Sequence, residues 1–167
     1  MSLVRSFDAI ADSDARVLVL ESMPGKASLD AGEYYAYPRN AFWKIMSELL
    51  AIDTAADYGA RTQALVANGI ALWDVMRSCE REGSLDSDIV ESSIMPNNFR
   101  GFFESHSRIE RVLFNGAKAE QTFEKLVLLD LGGSFADIVF HRLPSTSPAN
   151  AGTSYAKKRE AWRAIIS

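Results

Sequence analysis

A chain of 167 residues, 47% apolar and 24% charged, has the balance of one compact globular domain spanning 1–167. It contains no apolar run of about 18 residues that would make a membrane helix, and MSLVRSFDAI lacks the long apolar core of a secretory leader. A formal net charge of −4 argues against nucleic-acid binding driven by bulk charge, and the single cysteine, Cys79, cannot form an internal disulfide or hold an iron–sulfur cluster. With only His106 and His141 beside it, no zinc site is expected. These features predict a monomer of a reducing, cytoplasmic compartment, with no metal, no cofactor and no membrane partner.

In chain order, the first predicted element is a buried strand, Val17–Leu20. The loop after it, Glu21–Ser22–Met23–Pro24–Gly25, has the Pro and Gly of a tight turn with exposed backbone N–H groups. Such groups can receive an anion or polarise a carbonyl, although an ordinary strand-to-helix turn has the same composition. Tyr34–Tyr35–Ala36–Tyr37–Pro38–Arg39–Asn40 follows. Aromatic rings and a flat amide are what stacks and orients a planar base, and equally what caps a core. Asn40–Ala51 places Phe42, Trp43, Ile45, Met46, Leu49 and Leu50 at helical spacing behind Pro38.

A second strand is predicted at Ala71–Val75, where Asp74 is either a catalytic carboxylate or a turn residue. Met95–Phe103 reads as a helix, Arg111–Phe114 as a third strand and Ala117–Leu129 as the helix after it. Between the last two lies Asn115–Gly116. Its amide can pair with a base edge at two points or cap the helix. A fourth strand is expected at Asp137–Phe140. It leads to Leu143–Pro144–Ser145–Thr146–Ser147–Pro148–Ala149–Asn150, whose hydroxyls and N–H groups suit phosphates and whose prolines stiffen it. Ala151–Ile166 closes the chain as a helix bearing Lys157, Lys158, Arg159 and Arg163, either a solvated face or a local DNA contact.

Strands alternating with helices predict an α/β three-layer sandwich, a central mostly parallel four-stranded sheet flanked by helices. Such sheets bind ligands at the carboxyl ends of their strands, which gathers the loops after Leu20, Val75, Phe114 and Phe140 in one place. No nucleophile elbow surrounds Ser145 or Ser147, and no Walker or dinucleotide fingerprint occurs.

Several segments go beyond generic patterning: Ser22–Met23–Pro24–Gly25, Tyr34–Tyr35–Ala36, Pro38–Arg39–Asn40–Ala41–Phe42–Trp43, Gly69–Ile70–Ala71–Leu72–Trp73–Asp74–Val75, Gly83–Ser84–Leu85–Asp86, Phe114–Asn115–Gly116 and Leu143–Asn150. In this order they resemble the uracil-DNA glycosylase superfamily, and within it the hypoxanthine-DNA (deoxyinosine) glycosylase branch. The resemblance implies a monofunctional glycosylase that flips a deaminated or mismatched base out of DNA into a pocket at the strand ends. It implies a catalytic role for Asn40. It implies base contacts from Tyr35 and Asn115 and from Met23, Pro24 and Gly25. DNA contacts are implied for Ser22, Ser145, Thr146, Ser147, Pro148 and Lys157. Glu21 stands where that family's first motif has Gly, and Tyr37 where it has His. Met23 and Leu143 replace the Asp or Asn and the His of strongly uracil-cleaving relatives, which points to the hypoxanthine branch. A noncatalytic nucleic-acid or nucleotide-binding module on the same fold is the alternative that Glu21 and Tyr37 keep open.

Overall fold

The computed structural model describes residues 2–166. In chain order the strands and α-helices are β1 (Leu3–Arg5), β2 (Val17–Glu21), α1 (Lys26–Ala31), α2 (Phe42–Leu50), α3 (Tyr58–Ala67), β3 (Ile70–Asp74), β4 (Met76–Glu80) and β5 (Met95–Pro96). They continue with α4 (Phe99–Ser105), β6 (Arg111–Asn115), α5 (Ala117–Phe123), α6 (Leu129–Leu131), β7 (Val139–Leu143) and α7 (Tyr155–Trp162). A π-helical turn, Glu124–Leu128, joins α5 to α6.

The central sheet has the order β3-β2-β6-β7, with every pair parallel. Alternation along the strands builds the layers. Val17 and Val19 face one side with Leu72 and Leu113, and they meet Phe42, Ile45 and Met46 of α2, Leu65 of α3 and Trp162 of α7. Leu18 and Leu20 face the other side with Val112 and Phe114, against Phe99, Phe102 and Phe103 of α4 and Phe123 of α5. Burying both faces explains why these strands read as unbroken apolar runs. The chain steps from β2 to β3 on one side, then crosses to β6 on the other. The carboxyl ends of β2 and β6 therefore flank the point where strand order reverses, the position where open α/β sheets form ligand crevices. Glu21 and Asn115 occupy those two ends.

The expected helices and strands are present with shifted ends. Val139–Leu143 begins two residues later than Asp137–Phe140, because β7 is an edge strand with β6 as its neighbour, and Val139, His141 and Arg142 are exposed. The helix expected over Met95–Phe103 starts only at Phe99, where the Asn98 side chain accepts the Gly101 N–H at 3.1 Å. The helix expected from Ala151 begins at Tyr155, after Ser154 accepts the Lys157 N–H. Asn40 lies before α2 rather than within it. Elements without a counterpart in the sequence reading are α1, α3 and a small antiparallel sheet, β1-β4-β5, packed over Met23, Met76, Cys79, Ile89 and Ile94. No helix among the described residues is long and apolar enough to cross a membrane.

Candidate active site

A cavity of about 540 Å³ opens at the strand-order reversal, a size typical of small-molecule clefts. Its walls come from the Glu21–Ser28 turn, from Tyr34, Tyr35, Tyr37, Arg39 and Asn40, from Ser84–Asp86 and from Ser145, Ser147 and Pro148. A second, more open groove of about 610 Å³ runs behind the Ser145–Ala149 loop and shares Asp86, Ser145, Ser147 and Ala149 with the first.

The aromatic wall is pinned from several sides. Tyr35 has φ 57°, the left-handed region that costs a non-glycine residue about 1–3 kcal/mol unless its surroundings enforce it. The enforcement is visible. Tyr35 stacks on Phe42 at 4.0 Å and its hydroxyl accepts the Asn115 amide at 3.1 Å. On one flank, Tyr34 donates its N–H to the Tyr58 hydroxyl at 2.9 Å and its carbonyl accepts the Trp43 indole N–H at 3.0 Å. On the other, the Ala36 N–H reaches the Ser28 hydroxyl at 3.2 Å. Because Phe42 covers one face of the Tyr35 ring, a ligand in the cavity would have to stack on the other. Asn40 accepts the Phe42 N–H through Oδ1 at 3.0 Å, which fixes its carboxamide and leaves the Nδ2 group and one Oδ1 lone pair unspent.

The turn after β2 presents the Met23 and Gly25 N–H groups with no acceptor among the described residues. Arg81, buried beneath it, donates from Nη2 to the Pro24 carbonyl at 2.7 Å and from Nε to the Gly83 carbonyl at 3.0 Å. Lys26 N–H reaches the Ser84 hydroxyl at 3.0 Å. The Ser84–Asp86 segment is therefore part of the pocket. The sequence offered Gly83–Asp86 only as a matching piece without a role, and Arg81 carried no signal, since a buried arginine looks like any surface one in sequence.

Carboxyls stand at the cavity wall and behind it, Glu21 lining it and Asp74 buried beneath Tyr34. Asp74 accepts the Tyr34 hydroxyl at 2.6 Å and is fully buried, and its Oδ1 has no partner. Burial pushes its carboxyl well above the usual range, with Tyr34 and Arg81 opposing the rise. Glu21, half-buried on the cavity wall, is also pushed well up, by burial first and then by the negative charges of Asp86 and Asp74. Among the described residues no group of three His, Cys, Asp or Glu side chains is arranged to hold a metal.

Asn40, Tyr35, Met23, Pro24, Gly25, Ser145, Ser147 and Pro148 all line the one cavity. Four other expected contact residues do not. Asn115 is buried, its Nδ2 donating to Tyr35 and to Thr146 Oγ1 (3.0 Å) and its Oδ1 accepting the Thr146 N–H (2.9 Å). Those bonds spend both amide protons inside the protein. Thr146 is buried with it, and its carbonyl accepts the Ala41 N–H at 3.0 Å. The buried Ser22 hydroxyl donates to Asp86 at 2.6 Å. Lys157 is exposed and lines neither cavity. Of its basic neighbours, Lys158 turns inward to the Ser147 carbonyl at 3.1 Å and Arg159 pairs with Glu48 at 3.2 Å. His141 is exposed on the edge strand, and His106 stacks on Phe102 away from the cavity. Neither histidine meets the site.

The uracil DNA glycosylase superfamily model matches residues 7–166. A hypoxanthine DNA glycosylase of Methanosarcina acetivorans is 34% identical over 165 residues, covering 97% of each chain. A hypoxanthine DNA glycosylase of Methanosarcina barkeri is 34% identical over 116 residues, covering 69% of this chain and 72% of its own. A solution NMR structure from M. acetivorans, provisionally described as a uracil DNA glycosylase, superposes with a TM-score of 0.79 at 30% identity, covering 99% of this chain and 100% of its own.

Proposed function

The chain belongs to the uracil DNA glycosylase superfamily and is a DNA glycosylase, and from that premise we propose that its cavity receives a flipped-out deaminated base, hypoxanthine first. The observation that carries this reading is the meeting of Asn40, Tyr35, the Met23–Gly25 turn and the Ser145–Pro148 loop around one pocket at the strand-order reversal.

Each part has a physical task. Cleaving the N-glycosidic bond builds oxocarbenium character on the sugar and negative charge on the base. The free Met23 and Gly25 N–H groups stabilise that charge without reorganising. Asn40, its carboxamide fixed through Phe42, holds a water in line with the anomeric carbon. Extruding the base costs a few kcal/mol, less when it is mispaired. Stacking on the face of Tyr35 away from Phe42 returns about 1–3 kcal/mol. Ser145, Ser147 and Pro148 contact the backbone from the loop between the two cavities, with Lys157 adding a surface charge. Ser22, Thr146 and Asn115 act from behind the wall by holding those loops in register. Among the described residues the cavity is lined by one lysine, Lys26, which is paired with Asp30 at 2.9 Å, and this supports hydrolysis without a lyase step.

The test is a duplex carrying one deoxyinosine, incubated with the protein and then treated with alkali. Strand breaks at the inosine position are expected, ahead of those at uracil. Intact strands at stoichiometric enzyme would sink the hypoxanthine assignment.

A further inference from the structure

We propose that Glu21 is the proton donor to the departing base, an assignment that rests on the cavity being the base pocket. Glu21 ends β2 at the strand-order reversal and lines the cavity beside Met23 and Tyr35. Its carboxyl is held on one side only. Oε1 accepts the Ser22 N–H at 2.9 Å, while the Ser22 hydroxyl makes its shorter bond to Asp86. No described residue donates to Oε2.

The surroundings favour the neutral acid. Asp86 and Asp74 are the negative charges that act on it, and Asp86 lines the same cavity. Of the nearby cations, Arg81 donates from Nε and Nη2 to two backbone carbonyls, Lys26 is paired with Asp30, Arg39 is exposed on the pocket wall, and none of the three forms an ion pair with Glu21. A carboxyl partly removed from water, facing acids and without an ion-pair partner among the described residues, keeps its proton well above the usual carboxylate range. With Oε1 accepting from Ser22, that proton sits on Oε2, the one unspent donor of the side chain.

The step balances. The C1′–N bond breaks and its electron pair passes to the base. The Oε2 proton moves to a ring nitrogen of the base, which leaves neutral, and Glu21 is left as a carboxylate. Water adds to the sugar cation, and the proton it sheds restores the Glu21 acid. The carboxyl thus gives this chain a side-chain donor in its base pocket.

Single-turnover cleavage of the deoxyinosine duplex across pH tests this with Glu21→Gln and Asp86→Asn. Wild type is expected to lose rate on the alkaline side as the Glu21 proton is lost. Glu21→Gln is expected to be about 10²–10⁴-fold slower, with that limb absent. Asp86→Asn removes the neighbouring negative charge, so the limb should move to lower pH. Thermal unfolding supplies a readout independent of cleavage. The folded chain keeps a proton that the unfolded chain releases above about 4.5, so wild type loses stability as pH rises from there to the folded pKa. Glu21→Gln, neutral throughout, should gain in Tm relative to wild type over that window. Cleavage of deoxyinosine by Glu21→Gln at the wild-type rate with the same alkaline limb overturns the donor role alone. A wild type that leaves deoxyinosine intact overturns the pocket assignment and the donor role together.

Discussion

The two walls of the pocket are built by opposite means. The Tyr34–Trp43 wall is made of large buried rings, with Tyr35 in a left-handed conformation that stacking, three flanking hydrogen bonds and one to its own hydroxyl enforce. The Leu143–Asn150 wall is made mostly of small residues holding one another through bonds within the loop, Ser147 N–H to Ser145 Oγ at 3.2 Å and Asn150 Nδ2 to the Ser145 carbonyl at 3.2 Å. Gly116 lets that loop approach closely, since a Cβ there would stand 3.1 Å from the Ser145 Cβ, at a φ of +93°. The first wall is stiff because it is part of the core, and the second because its own loop closes on itself. This suits a rigid face that receives a base and a thin loop that follows a DNA backbone. Two links join them: Asn115, between Tyr35 and Thr146, and the Ala41 N–H, which donates to the Thr146 carbonyl.

Among changes to these two walls, the largest expected effect comes from the rigid one. Asn40→Ala should lower the single-turnover rate on deoxyinosine about 100-fold, the scale on which lost positioning acts. Binding to the same duplex should hold, because Tyr35 and the loop remain. Loss of the bond to Phe42 should cost only about 1 kcal/mol of stability. An unchanged rate would remove Asn40 from the chemistry.

Next in size is the link. Asn115→Ala strips three hydrogen bonds and leaves the buried Thr146 N–H without an acceptor. About 2–3 kcal/mol should be lost in denaturant unfolding. Cleavage should fall along with stability because the walls lose register. Were Asn115 instead to read the base directly, cleavage would collapse while stability stayed near wild type, so the two measurements together separate the roles.

The same contrast explains what the sequence could disclose. The strands of the central sheet were legible because burial on both faces leaves continuous apolar runs, as in Val17–Leu20 and Arg111–Phe114. The antiparallel sheet was not. Met76–Glu80 alternates irregularly, Arg77 exposed between buried Met76 and Ser78, and β5 is two residues ending in proline. Helix α3 buries Leu65 alone, so it shows no stripe. At the site, the loops could be gathered by the strand-end rule, and Asn40 and Tyr35 stood out as residue types. The inward turn of Asn115 could not be read, because it depends on partners 80 and 31 residues away. Nor could the split between Lys157 and Lys158, since neighbours on one helix point to different surroundings.

That split gives the smallest expected effect and sharpens the picture of the thin wall. Lys158 is buried against the Ser147 carbonyl, and burial pulls its pKa down. Lys158→Ala should therefore cost about 1 kcal/mol of stability, the net worth of one such bond, and loosen the loop. Lys157→Ala removes an exposed charge and should change stability by less than about 0.5 kcal/mol. If Lys157 meets a phosphate, its loss should weaken binding equally for every sequence and reduce the salt slope by about one. A salt slope identical to wild type would place the DNA path elsewhere, along the open groove beside Arg142 and Asn150 instead of over α7.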